Sequence, residues 1–150
     1  MYRTILVPLD GSKRAEAILE HVQNLAERYQ ARIILFRVVE GRYFVPSTEE
    51  VIDLSGYKEE YRRREAEAAE YLDILKRGLT AKGIRTDTRV SHDTVVRAIL
   101  EIAETENADL IAMASHGRGG LARAFYGSVS AGVLQRIDRP LLIIRSQQGG

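Results

Sequence analysis

The chain of 150 residues contains no cysteine, so disulfides, thiolate metal sites and cysteine nucleophiles are excluded at the outset. Charge of one sign is missing as well. A net charge of +1 argues against nucleic acid or an anionic membrane surface as a partner. No apolar run approaches the length of a membrane span. The start, Met1-Tyr2-Arg3-Thr4-Ile5-Leu6-Val7-Pro8, has too short an apolar core for a signal peptide and reads as a strand, making the cytoplasm the expected location. Gly-Lys-Ser/Thr occurs nowhere, which removes the Walker loop. Pro8-Leu9-Asp10-Gly11 stands where a dinucleotide fingerprint would follow the first strand. Ser128-Val129-Ser130-Ala131-Gly132 lacks the first glycine of a hydrolase nucleophile elbow, and no histidine follows it. The histidines His21, His92 and His116 show no metal-ligand spacing.

What is present is an ordinary globular composition, 45% apolar and 29% charged, over a length suited to one domain spanning 1–150. Such a chain can bury roughly 70% of the surface its unfolded form exposes. Strand and helix patterns alternate from end to end. Thr4 to Pro8 predicts a first strand, closed by the turn former Asp10-Gly11-Ser12. Ala15, Ile18, Leu19, Val22, Leu25, Ala26 and Tyr29 mark one helix face. Arg32 to Val39 predicts a second strand around the apolar stretch Ile33-Ile34-Leu35-Phe36. Gly41 to Gly56, with Pro46, shows no period and reads as a loop, whose Tyr43, Phe44 and Val45 could fold over a bound base. A long helix from Tyr57 follows, ended by Gly83 as its C-terminal cap. Ile84 to Val90 predicts a third strand, and Val95, Val96, Ile99, Leu100 and Ala103 a helix with Asp93 as N-cap. The charged triple Arg62-Arg63-Arg64 alternates with glutamates as a solvated face. A fourth strand at Leu110-Ile111-Ala112-Met113, a helix carrying Val129, Val133 and Ile137, and a last strand, Leu141 to Arg145, complete the pattern before a frayed tail, Gln147 to Gly150. Five strands alternating with four helices predict an open parallel α/β sheet with helices on both faces.

In such sheets ligands bind beyond the carboxyl ends of the strands, where strand order reverses. Two features fall there. One is Ser115-His116-Gly117, followed nine residues later by Gly127-Ser128-Val129. A strand, a glycine-bearing loop and a helix beginning with Gly and Ser leave unpaired N–H groups facing one point, an anion site built from backbone. The same residues also suit a plain turn with Ser128 as a cap. The other feature is Asp10, which serves either as a turn residue bonding Gly11 or Ser12, or as a carboxylate for a ribose hydroxyl or a metal ion on phosphates. Sequence alone leaves both pairs of readings open.

Small residues around Ser-His, then Gly, nine residues and Gly-Ser, resemble the ATP-binding branch of the universal stress protein family. The resemblance extends over the whole chain: Val7-Pro8-Leu9-Asp10-Gly11-Ser12, Leu35-Phe36-Arg37-Val38, Asp109-Leu110-Ile111-Ala112-Met113 and Arg139-Pro140-Leu141-Leu142-Ile143-Ile144-Arg145. It implies a five-stranded parallel, Rossmann-like sheet of order 3-2-1-4-5 and a homodimer through Leu141 to Arg145. It implies ATP, or AMP or ADP, as ligand, with magnesium on the phosphates near Asp10. Pro8, Leu9 and Asp10 would then meet the adenosine, Val38 would offer backbone groups to the adenine, and Met113 and Ala114 would line the floor near the ribose. Gly117, Gly127, Ser128 and Val129 would hold the phosphates, with His116 and Arg118 as further contacts. Three departures stand out. Ala114 replaces the first glycine of the motif, Ser91-His92 replaces a glycine after the third strand, and Arg37 occupies a position where histidine is common. The implied function is a nucleotide-binding regulatory module. The alternatives are a slow ATPase or phosphotransferase, against which stands the lack of an evident base or lysine at the phosphates, and an interaction protein with a vestigial site.

Overall fold

The computed structural model describes residues 1–40, 54–115 and 127–146, the side chains of 54, 55 and 127 excepted. Five strands form its centre: β1 (Thr4–Leu9), β2 (Arg32–Val38), β3 (Thr86–Ser91), β4 (Leu110–Ala114) and β5 (Leu141–Ile144). All neighbouring pairs are parallel, in the order β3-β2-β1-β4-β5. The expected sheet and strand order are therefore observed.

The apolar runs are continuous because both faces of the sheet are covered. Alternate residues point to opposite faces. Ile5, Val7, Leu9, Ile33 and Leu35 pack with Ile18, Val22, Leu72 and Leu79, while Leu6, Ile34, Phe36, Ile111 and Met113 pack with Ala98, Ile99 and Val133. Each fully buried large side chain contributes about 1.5–3 kcal/mol relative to exposure. The first layer is closed by α1 (Lys13–Glu16), α2 (Ile18–Tyr29) and α3 (Leu54–Ala81), the second by α4 (Val95–Thr105) and α5 (Gly127–Arg136). Among the described residues no helix is long and apolar enough to cross a membrane.

Local chemistry corrects several predicted boundaries. The first helical stretch is two helices, because the Ala17 N–H bonds the Arg14 carbonyl three residues back and tightens the turn. α3 begins at Leu54, so the last residues assigned to the Gly41 to Gly56 loop are helical; 41–53, with Tyr43, Phe44 and Val45, lie outside the described residues. Gly83 ends that helix as expected, at φ +83°, with its N–H on the Thr80 carbonyl. Ile84 is buried but not in the strand, because its N–H returns to the Leu79 carbonyl. β3 consequently starts at Thr86. The N-cap of α4 is Thr94, not Asp93; the Asp93 carboxylate instead accepts from the Thr94 N–H at 2.7 Å. Arg62, Arg63 and Arg64 are exposed, as the charge pattern implies. Gln147 to Gly150 lie outside the described residues.

Candidate functional site

The order β2-β1-β4 places the reversal of the sheet between β1 and β4. Asp10 leaves β1 and Ser115 leaves β4 at that point, both at carboxyl ends. Asp10 makes the turn its sequence suggests. Its Oδ1 accepts from the Ser12 N–H at 2.9 Å and the Ser12 hydroxyl at 2.6 Å, while Ser12 Oγ accepts from the Ala15 N–H at 3.1 Å. The carboxylate is thus held in one orientation, half-buried, at the start of α1. Pro8 is half-buried, and the side chain of Leu9 belongs to the core, leaving only its backbone for a ligand. Val38 is the last residue of β2, beside Asp10 across one strand.

On the β4 side, Met113 and Ala114 are buried. The Ala114 carbonyl accepts from the buried Ser130 hydroxyl at 3.3 Å, tying the first turns of α5 to the end of β4. That bond brings Gly127 and Ser128, the first residues of α5, to the same edge as Asp10. The helix already includes Ser128, which is exposed, so Ser128 lies inside the first turn rather than before it as a cap. Val129 is half-buried against the second core layer. Gly132 lets α5 cross α4 closely, since a Cβ there would stand 2.8 Å from Val96 Cγ2. His116, Gly117 and Arg118 lie outside the described residues. The hydroxyl of Ser115 is buried and has no hydrogen-bond partner among the described residues.

The structure also gathers residues that sequence reasoning left out. Arg37 is the penultimate residue of β2, and its guanidinium lies 3.1–3.2 Å from where a Cβ on Gly11 would stand. Gly11 has φ +88°, which only glycine adopts readily, and its missing Cβ admits the arginine. The guanidinium carbon is 5.2 Å from the ring centre of Tyr71 on α3, and the Tyr71 hydroxyl donates to Glu16 Oε2 at 3.0 Å. Burial, then the Glu16 carboxylate, push the Tyr71 hydroxyl far above the ordinary tyrosine range, keeping it a donor. The signal was visible in principle: Arg37 sets a charge on the strand face that buries Ile33 and Leu35. Farther along the edge, the His92 ring is 4.6 Å from that of Tyr61 and its Nε2 is 3.5 Å from Glu65 Oε1. His21 is exposed on α2.

This arrangement matches known proteins. The family model described as Universal stress protein family matches residues 1–145. Universal stress protein MJ0531 of Methanocaldococcus jannaschii is 28% identical over 145 residues, 97% of this chain and 83% of that protein. A universal stress protein of Thermus aquaticus is 31% identical over 147 residues, 97% of this chain and all of that one. The solved structure of MJ0577 superposes with a TM-score of 0.86 at 28% identity, covering 99% of both chains.

Proposed function

The chain belongs to the universal stress protein family, and from that premise we propose that it is an adenine-nucleotide-binding module whose occupancy alters its dimer state or its hold on a protein partner. The observation that carries this reading is the convergence of Asp10, Val38 and the start of α5 on one edge, at the reversal of strand order. Adenosine lies against Asp10, Pro8 and the Leu9 backbone, with the adenine on backbone groups of Val38 and the ribose over Met113 and Ala114. The phosphates lie at Gly117, Gly127, Ser128 and Val129, where N–H groups of the first helical turn and the helix dipole meet negative charge. Magnesium would arrive on the phosphates and neutralise their charge, and Asp10 would be the carboxylate to meet it. Among the described residues no group of three or more His, Asp or Glu is placed to hold a metal.

Titration calorimetry with ATP tests the reading. A dissociation constant in the micromolar range, about −8 kcal/mol, is expected. Absence of heat together with no displacement of a fluorescent ATP analogue overturns it. Gly127→Asp sets a carboxylate against the phosphates and should abolish binding. Hydrolysis should be far slower than the roughly 1–100 s⁻¹ of kinases. The dimer forms through β5, an edge strand whose Leu141–Ile144 are all half-buried and whose outer backbone groups need partners. Antiparallel pairing about a two-fold axis supplies them. Light scattering should give twice the single-chain mass, and Ile143→Pro should return the monomer.

A further inference from the structure

The proposed ligand has to meet groups on two strands at once, the Asp10 carboxylate after β1 and the Val38 backbone at the end of β2. The paired register of these strands runs only as far as Leu9 and Arg37, one residue short of both. The Asp10 turn is tied to itself, its Oδ1 accepting from the Ser12 N–H and hydroxyl. Those bonds orient the carboxylate within the turn and leave the setting of the turn against β2 to other contacts. Arg37 makes one. Its main chain leads into Val38 while its side chain reaches back to Gly11, where a Cβ would stand 3.1 Å from Cζ, 3.1 Å from Nη2 and 3.2 Å from Nη1. Near-equal distances to the centre and two tips of a planar group put that point over its flat face. The guanidinium is thus a plate laid on the turn. Its carbon lies 5.2 Å from the ring centre of Tyr71, whose hydroxyl donates to Glu16 at 3.0 Å, so α3 and α1 hold the plate in turn. Charge agrees with this placement, because the Tyr71 hydroxyl senses Glu16, Arg37 and Asp10 together, one cation beside two carboxylates.

We propose that Arg37 is a positioning residue of the nucleotide site, setting the distance between the Asp10 carboxylate and the Val38 backbone without touching the ligand. The inference rests on the nucleotide reading and adds the side chain that aligns its nucleoside end. One residue is in the chain beside Val38 and in space against Gly11, so a single side chain couples the two groups that the adenosine must meet. A guanidinium suits the task because it is flat, rigid and always charged, whereas the ammonium of a lysine has no plane to lay on a peptide. Gly11 completes the device, since any Cβ there would push the plate away.

Two double-variant cycles, read by calorimetry with ATP and with folding checked by urea unfolding, test the inference. Arg37→Gln alone should weaken ATP binding about tenfold, as expected when a binding group shifts by a fraction of an ångström. In an Asp10→Ala background the same change should cost less than about twofold, since the group that Arg37 positions is gone. In a Ser128→Ala background, at the phosphate end, it should again cost about tenfold. Unchanged ATP affinity in Arg37→Gln overturns the inference. So does a full loss that persists without Asp10, the mark of a direct contact or of general loosening. Both results leave the nucleotide reading standing. Absence of ATP binding to the wild type overturns that reading and this inference with it. Arg37→Lys keeps the charge, loses the plane and should behave as Arg37→Gln in both cycles, which keeps the test decisive if the glutamine variant does not fold. Wild-type affinity in Arg37→Lys overturns the role of the plate.

Discussion

The two edges of one sheet treat their polar groups in opposite ways. At the amino-terminal edge several charged side chains close on neighbouring elements. Asp109 accepts from the N–H groups of Arg3 at 2.8 Å and Thr4 at 3.1 Å, stitching the approach to β4 to the start of β1. Arg32 and Arg89 converge on Glu106, at 3.3 and 2.7 Å, and Arg139 bridges two carbonyls at the end of α4. At the carboxyl-terminal edge, Arg37 lies over the ring of Tyr71, the Ser115 hydroxyl has no partner among the described residues, and Ser128 is exposed. The same fold thus has a sealed end and an open end.

The sharpest way to break that contrast is to exchange its two aspartates. Asp109→Ala removes the acceptor of the buried Thr4 and of Arg3 together, and should cost about 2–3 kcal/mol of stability. Nucleotide affinity of the folded protein should be unchanged. Asp10→Ala removes the acceptor of the Ser12 turn, with Ser12 still able to cap α1, and should cost about 1 kcal/mol while weakening nucleotide binding tenfold or more. Denaturant unfolding alongside ATP titration reads both quantities. Equal binding losses in the two variants would erase the distinction between the edges.

A smaller effect is expected where α5 is held near the open edge. Gly132→Ala places a methyl 2.8 Å from Val96 Cγ2, on a short branched side chain with little room to turn away. Overpacking of this kind costs about 1–3 kcal/mol. Because Ser130 of the same helix bonds the Ala114 carbonyl, a shift of α5 should also lower nucleotide affinity severalfold. Loss of stability with affinity intact would mean that the helix start is placed by something other than this crossing.

How much of this was readable beforehand follows the same divide. Ile33–Phe36 and Leu110–Met113 announced buried parallel strands because burial on both faces removes polar alternation. Gly83 announced a helix end because its conformation is a local property. The start of α3 at Leu54 was not legible, since Ser55 and Gly56 are poor helix formers. Asp10 was legible as a turn residue, and the turn it makes holds the carboxylate in one orientation. Arg37 was missed because its meaning depends on Gly11 and Tyr71, which come from two other elements. Contacts spanning three elements leave no periodic trace.

Tyr71 offers the finest probe of how the open edge is braced. Its hydroxyl donates to Glu16 on α1 while its ring faces Arg37 on β2, so α3, α1 and β2 meet at one side chain. Tyr71→Phe keeps the ring and removes one hydrogen bond to a carboxylate, a loss of about 1 kcal/mol at this half-buried site. The pH dependence separates this from a packing defect. Burial and Glu16 raise the folded hydroxyl above its unfolded value near ~10. The contribution is therefore fully present below ~10 and is lost as pH rises from there toward the folded value. Wild type and Tyr71→Phe should differ by a constant amount from pH 6 to pH 9, and that difference should shrink above ~10. Unfolding midpoints measured across that range decide the point. A difference that stays constant into strong alkali would show that the hydroxyl bond to Glu16 contributes nothing to the brace.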